Sequence, residues 1–331
     1  MLSFLIRRLL YAAVVIVCVI FFVSIIIKFI PGDPVDVMAA GNPGITEEDK
    51  QRLREQLGLT RPVHEQFVVY IWGALQGDLG QSIRFRVPTA QLVLERLPAT
   101  LELTILSMVV AVLIAIPLGI VTALRQGSAI DYGGTVIAIL GVSIPSFLLG
   151  ILFILVFAVD LFWLPSSGRG EFLPYAVWHA LLNLDFDIFW KSFKFIILPT
   201  VALALSVTAW NARLTRSAML DVIRQDYIQF AKAKGLPDRV VYLRHAFRNA
   251  MIPSITIIGL QLGYLLGGTF VIENVFAWPG VGRLAVQAVF WRDYPLIQAI
   301  VVMIGGMFVL INIVIDIIYR EVDPRIRYVG D

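Results

Sequence analysis

The sequence predicts an all-α membrane protein with six transmembrane helices, and three observations carry that prediction. Of its 331 residues, 58% are hydrophobic and 15% charged, with a mean hydropathy of +0.82, far too apolar for a soluble globular protein. Apolar windows fall at about 9–30, 100–124, 132–159, 195–212, 249–272 and 294–315, each at or near the roughly 20 residues of helix that cross a hydrocarbon core. The long charged stretch, residues 213–253, lies between two of these windows.

The first window follows Arg7 and Arg8. Its apolar run is too long for the core of a signal peptide and has no small-x-small cleavage site, so it reads as an anchored helix. Orientation comes from the loops. Residues 213–248 carry eight basic residues (Arg213, Arg216, Arg224, Lys232, Lys234, Arg239, Arg244, Arg248) against three acids (Asp221, Asp226, Asp238), whereas the longer loop 31–98 carries seven against nine. Positive-inside bias therefore puts both termini in the cytoplasm, with the chain crossing the membrane several times. The same bias accounts for the net charge of +3 and the pI near 9.0, and nucleic acid is not expected as a partner. The single cysteine, Cys18, excludes an intramolecular disulfide.

Three parts follow: residues 1–30 with the first span, an extracytoplasmic loop 31–98, and a core of five helices over 99–331. In the loop, Thr46 caps a helix that opens on Glu47, Glu48 and Asp49 and closes at Gly58. Pro62 begins a second helix running to about Gly77, with Phe67, Tyr70 and Ile71 on one face, and a third short helix starts at Pro88. Such a cap serves equally as a docking surface or as a cover for helix ends. In the second outer loop, about 160–194, Trp163, Tyr175, Trp178 and Trp190 read as interface anchors.

Within the spans, Lys28, Glu102 and Asp316 lie near helix ends, and no acidic or histidine relay crosses the centre. That argues against an ion-coupled secondary transporter, the alternative from a different class. Pro117, Pro145 and the Gly267-Gly268 pair are places where a helix can bend, although such residues also occur in straight membrane helices. Ser143, Ser146, Gln261, Glu273 and Asn274 are candidates for lining a translocation path, or for ordinary helix packing.

The charged stretch is patterned. Ile223, Tyr227, Phe230, Ala231 and Lys234 recur at helical spacing, and Gly235-Leu236-Pro237 ends the run. A second run from Asp238 carries Val240, Val241, Arg244, His245 and Arg248 and stops before Pro253. Two short helices around a glycine break fit either a partner groove or the anionic inner leaflet.

In detail the stretch resembles the cytoplasmic coupling loop, the EAA loop, of membrane subunits of bacterial ABC importers. The chain is similar throughout to the integral permease subunit of the dipeptide, oligopeptide and nickel importers. The segments that carry this are IPGDP, GDLGQS, RLPATLEL, DYIQFAKAKGLP, RHAFRNAMIP, ENVFAWPGVGRL, RDYP and a terminal DPRIR. The name-giving glutamate is absent: Gln229, Phe230 and Ala231 stand at the Glu-Ala-Ala positions.

The resemblance implies a type I ABC importer permease fold that pairs with a second homologous permease, expected as a heterodimer, and contacts two ATPase subunits and an extracytoplasmic substrate-binding protein. It assigns ATPase coupling to Asp226, Tyr227, Phe230, Ala231 and Gly235, with Arg244, His245, Arg248 and Pro253 positioning the helix pair. Dipeptides or oligopeptides are the expected cargo, with nickel, a nickel chelate or glutathione as alternatives within the family.

No GxxxxGK[ST] sequence occurs, so the chain is not expected to be an enzyme or to bind a cofactor, and ATP and Mg2+ belong to the partner subunits. His64, His179 and His245 are too scattered for a metal site, and no nucleophile set can be argued from spacing. No clear internal repeat is present.

Overall fold

A computed structural model describes residues 2–26, 33, 35–36, 39, 46–56 and 58–322, and among them helices are joined by turns and one isolated bridge, Gln81 to Pro88. The helices are α1 (Leu2–Ile26), α2 (Glu47–Gln56), α3 (Val63–Leu75), α4 (Thr89–Leu124), α5 (Ala129–Ser143), α6 (Ser146–Phe153), α7 (Leu173–Asn183) and α8 (Asp187–Ile223). They continue with α9 (Asp226–Ala233), α10 (Asp238–Val240), α11 (Phe247–Val275), α12 (Val281–Trp291) and α13 (Tyr294–Val322). Wider π-helical turns prolong α6 over Ile154–Asp160 and join α10 to α11 over Val241–Ala246.

The six apolar windows fall on helices, but in different ways. Among the described residues, four segments are each long and apolar enough to cross a bilayer: Thr89–Leu124, Asp187–Ile223, Ile257–Val275 and Tyr294–Ile317. The first window falls on α1, a helix of 25 described residues whose part Ala13–Ile26 is an apolar segment. The third window is a bent pair, α5 and α6, turned by 97° at Ile144-Pro145. A proline forces the residue before it toward extended backbone, and Ile144 sits at φ −92°, ψ 121°. Of the three bending sites named from sequence, Pro145 breaks its helix, while Pro117 and Gly267-Gly268 lie within α4 and α11.

The loop expectations are met with two corrections. Thr46 and Asp49 cap each other reciprocally: the Thr46 N–H donates to Asp49 Oδ2 at 3.1 Å and the Asp49 N–H to Thr46 Oγ1 at 3.3 Å. Gly58 closes α2 at φ +68°, with the Leu59 N–H reaching the Arg54 carbonyl at 2.9 Å. Pro62 caps α3 from just outside it, and α3 ends at Leu75. The helix expected at Pro88 is not separate. It is the start of α4, which runs on through the second window because TAQLVLERL holds no helix breaker and Pro98 is accommodated within the helix. Likewise α8 begins at Asp187, before the expected 195. Trp163, Tyr175, Trp178 and Trp190 are exposed. Lys28, most of IPGDP and the terminal DPRIR lie outside the described residues.

The helices group into two units, Met1–Thr100 with Pro279–Leu310, and Leu101–Trp278 with Ile311–Asp331. The first packs Val93 of α4, Val281, Leu284 and Ala288 of α12, and Leu296 and Ile300 of α13 into one core. Its polar knot joins two of the sequence motifs. Asp293 of RDYP is fully buried and accepts from the Ser82 hydroxyl of GDLGQS, from the Ile83 and Arg84 N–H groups at 3.1 Å each, and from the Leu296 N–H at 3.3 Å. One carboxylate thus caps α13 and pins the 82–84 turn.

The second unit is built on α8, whose buried face is mostly small: Ala202, Ala204, Thr208, Ala212 and Thr215 among others. Small residues let helix backbones close up. A Cβ at Gly119 of α4 would meet Thr215 Cβ at 2.6 Å and the Ala212 carbonyl at 2.7 Å, so this crossing admits only glycine. Arg216 of α8 grips Asp131 of α5 with two parallel bonds, 2.6 and 2.8 Å, and Asp131 also accepts from the Gly127 N–H at 3.0 Å. Near the other end of α4, Glu102 accepts from Arg169 and, at 2.6 Å, from the Leu173 N–H. The Arg169 guanidinium lies 5.6 Å from the centre of the buried Trp278 ring.

Candidate functional site

The charged stretch folds as a helical elbow at the ends of α8 and α11. Helix α9 opens on Asp226, an acid in the first turn that suits the positive end of the helix. Its inner side is fixed by Ile228, which is 0% exposed and joins Met219 and Val222 of α8, Val241 and Ala246 of the π-helical turn and Ala250 of α11 in one core. Full burial of such a side chain contributes about 2 kcal/mol. Ala231, one turn on, is half-buried against the same core.

The outer side presents apolar side chains. Phe230 is 62% exposed and Tyr227 39%, with Leu236 and Leu243 also exposed. Phe230 carries the Lys234 ammonium 4.6 Å from its ring centre. Tyr227 is oriented by Asn249, whose Nδ2 donates to the phenol oxygen at 2.7 Å and to the His245 carbonyl at 3.1 Å. Lys232 stacks 5.0 Å from the Tyr242 ring, and its bond to the Tyr242 phenol holds the ammonium above the usual lysine value.

The break is conformational rather than steric. Gly235 has φ +75°, and nothing lies within 4 Å of where its Cβ would stand. A left-handed backbone there costs a residue with a Cβ about 1–2 kcal/mol. Pro237 then starts the next run, its carbonyl accepting from the Val240 N–H at 2.8 Å. Arg244 and Arg248 are exposed and His245 is half-buried. Pro253 lies inside α11, and its side chain is outside the described residues.

The candidate path residues occupy different local settings. Ser143 and Ser146 flank the α5–α6 bend, with Ser143 Oγ donating to the Ile139 carbonyl at 2.8 Å. Gln261 accepts from the buried Asn211 of α8 at 2.6 Å, a helix-to-helix bond. Glu273 is fully buried, and the exposed Asn274 donates to the Phe270 carbonyl at 2.7 Å.

Sequence reasoning missed Ile228, Asn211, Asn249 and the Asp131–Arg216 pair. Ile228 and Ala231 stand three apart, which is the signal for an inner face, but Tyr227 and Phe230 carry the same spacing and drew the assignment.

These features define an α-helical membrane protein of the permease class, with bundled spans and an apolar-faced elbow between two of them. Residues 115–328 match the family described as binding-protein-dependent transport system inner membrane component, and residues 1–104 match its N-terminal counterpart. The chain belongs to this family: it is an integral permease subunit of an ABC importer in the inner membrane. It is 39% identical to the dipeptide transport system permease protein DppB of Alkalihalophilus pseudofirmus, over 99% of this chain and 100% of the relative. To the oligopeptide permease AppB of Bacillus subtilis it is 39% identical, and to the glutathione permease GsiC of Escherichia coli 41%, at the same coverage. In fold it is similar to a chain of the inward-facing MetNI methionine ABC transporter, with TM-score 0.55 and 18% identity, over 70% of this chain and 97% of that one.

Proposed function

We propose that this chain pairs with a second, homologous permease as a heterodimer to form a path for dipeptides and oligopeptides. An extracytoplasmic binding protein delivers the cargo, and two cytoplasmic ATPase subunits, which bind ATP and Mg2+, receive the elbow. Both termini then lie in the cytoplasm.

The observation that carries this reading is the two-sidedness of α9. Ile228 ties it to α8 and α11, while Phe230 and Tyr227 stand exposed among the described residues. A helix anchored on one side and open on the other transmits displacement: a groove that takes Phe230 moves α8 and α11 together. ATP shifts the permease only so far as the ATPase pair holds α9 more favourably in one state than in the other. The cargo class is supported by the relatives, named for dipeptide, oligopeptide and glutathione, all short peptides. Glutathione is thus one cargo of the proposed class, and the ion-coupled carrier has no support within this family.

The test is co-purification of the tagged chain with its co-expressed ATPase subunits, comparing wild type with Phe230→Asp. Phe230 is 62% exposed, so the variant is expected to fold, keep its thermal stability and lose the ATPase subunits. Retention of both subunits and of peptide-stimulated hydrolysis by that variant would refute docking through α9.

A further inference from the structure

Helix α11 is packed on one side only. Leu265, Leu266, Thr269 and Ile272 are buried, Gly150 of α6 packs against Ile272, and Asn211 of α8 bonds Gln261. The opposite side is open. Leu260, Tyr264 and Val271 are exposed there, and nothing lies within 4 Å of where a Cβ would stand on Gly267 or Gly268, which share that stripe. Tyr264 is 78% exposed, and among the described residues nothing bonds its hydroxyl. Within the apolar segment Ile257–Val275 it has about 10 Å or more of helix on either side.

Lipid is a poor occupant for this stripe. The exposed positions within two other spans are hydrocarbon: Ile105, Val109 and Leu113 on α4, and Phe308, Leu310 and Val314 on α13. Of the four spanning segments Ile257–Val275 is the least apolar, yet more than half of it is not buried in its own chain. A hydroxyl held in hydrocarbon without a partner is costly, and this one is too deep to reach the interface. A second helix is a poor occupant too. Paired glycines admit a close helix backbone, but Tyr264 one turn away props such a helix off and leaves a recess with a hydroxyl at its edge.

We propose that Tyr264 contacts the cargo: its hydroxyl bonds the backbone of the short peptide passing α11, and Gly267 and Gly268 leave room for that peptide's side chains. A phenol both donates and accepts, so it answers either the N–H or the C=O of a peptide group. Those groups are common to short peptides of any sequence, which suits a permease whose relatives are named for dipeptide, oligopeptide and glutathione. This contact presupposes the short-peptide permease proposed above.

The test uses the full chain with its co-expressed partner subunits and binding protein in nanodiscs, carrying Tyr264→Cys in a Cys18→Ala background. The thiol is offered the charged reagent trimethylammonioethyl methanethiosulfonate, which needs a thiolate and so reports water, or the lipophilic N-phenylmaleimide. The charged reagent is expected to react, and to react several-fold more slowly during turnover of alanyl-alanine with ATP. In proteoliposomes Tyr264→Phe should lower alanyl-alanine uptake per ATP several-fold at an unchanged melting temperature, whereas a merely structural tyrosine would move the melting temperature. Reaction with the lipophilic reagent alone means a lipid-facing stripe, and reaction with neither means cover by a partner helix; both overturn the proposal. So does a reaction that the peptide leaves unslowed, or uptake by Tyr264→Phe equal to wild type. Wild type that takes up no alanyl-alanine sinks the short-peptide reading itself, and that result is seen before any variant is made.

Discussion

Replacing Asp293 with alanine should be among the most damaging single changes in the first unit. The carboxylate is fully buried and serves four donors, the Ser82 hydroxyl and the Ile83, Arg84 and Leu296 N–H groups. Alanine leaves all four without an acceptor. Ile83 and Arg84 are near enough to the surface for water to reach them, whereas Ser82 and Leu296 are buried. Counting only those two, at about 1–3 kcal/mol for each unsatisfied group, the loss is about 2–6 kcal/mol. Ser82→Ala removes one donor together with its need for an acceptor, and should cost about 1 kcal/mol. Tryptophan fluorescence during thermal unfolding is the assay, since Trp291 packs edge-on against Phe85 at 5.2 Å and so reports on both pinned segments. At roughly 2–3 °C per kcal/mol for a chain of this length, Asp293→Ala should lower the midpoint by about 4–18 °C. In the double variant the Ser82 change should recover part of the loss, because it removes a buried donor that Asp293→Ala has left without an acceptor. If Asp293→Ala lowers the midpoint no more than Ser82→Ala, or if the two effects add, the carboxylate is not the shared cap.

Three further outcomes follow from the same geometry. Gly235→Ala should cost about 1–2 kcal/mol through φ +75° alone, and Gly235→Asn less, because asparagine tolerates that region; thermal unfolding of both variants separates backbone strain from crowding. Asp131→Asn and Arg216→Gln should each destabilise by about 1–2 kcal/mol while the double variant costs less than their sum, measured by a double-mutant cycle on this part-buried pair. The Thr46 bonds hold the Asp49 carboxyl below its ordinary value of 3.8. A depressed carboxyl stabilises the folded state at pH values above 3.8, and that contribution is lost as pH falls through the lower folded value. Amide exchange over residues 46–56 should therefore be pH-insensitive in protection above that value and lose protection below it.

What the sequence made legible was whatever a periodic pattern or a turn residue encodes locally. The apolar windows, the Thr46 cap, the Gly58 and Gly235 stops and the helical elbow each rest on neighbours within a few positions, and each is found where those neighbours put it. The proline sites show the limit. Pro98, Pro117 and Pro199 stay inside helices while Pro145 ends one, and no local rule separates them, since a membrane helix keeps a proline when packing around it holds the flanking turns. Partnerships at long range were equally hidden. Asp293 and Ser82, Asp131 and Arg216, Asn211 and Gln261 are 211, 85 and 50 positions apart, and nothing in either member's surroundings names the other.

The elbow makes the same point about function. Both Ile228 and Phe230 are apolar residues on one short helix, and only the fold says that the first is consumed by the chain's own core while the second is left over. A residue already buried at home has nothing to offer a partner. The proposed coupling surface is therefore narrower than the motif that marks it: Tyr227 and Phe230 are exposed, Ala231 packs against the anchoring core, and Gly235 turns the chain between the two short helices.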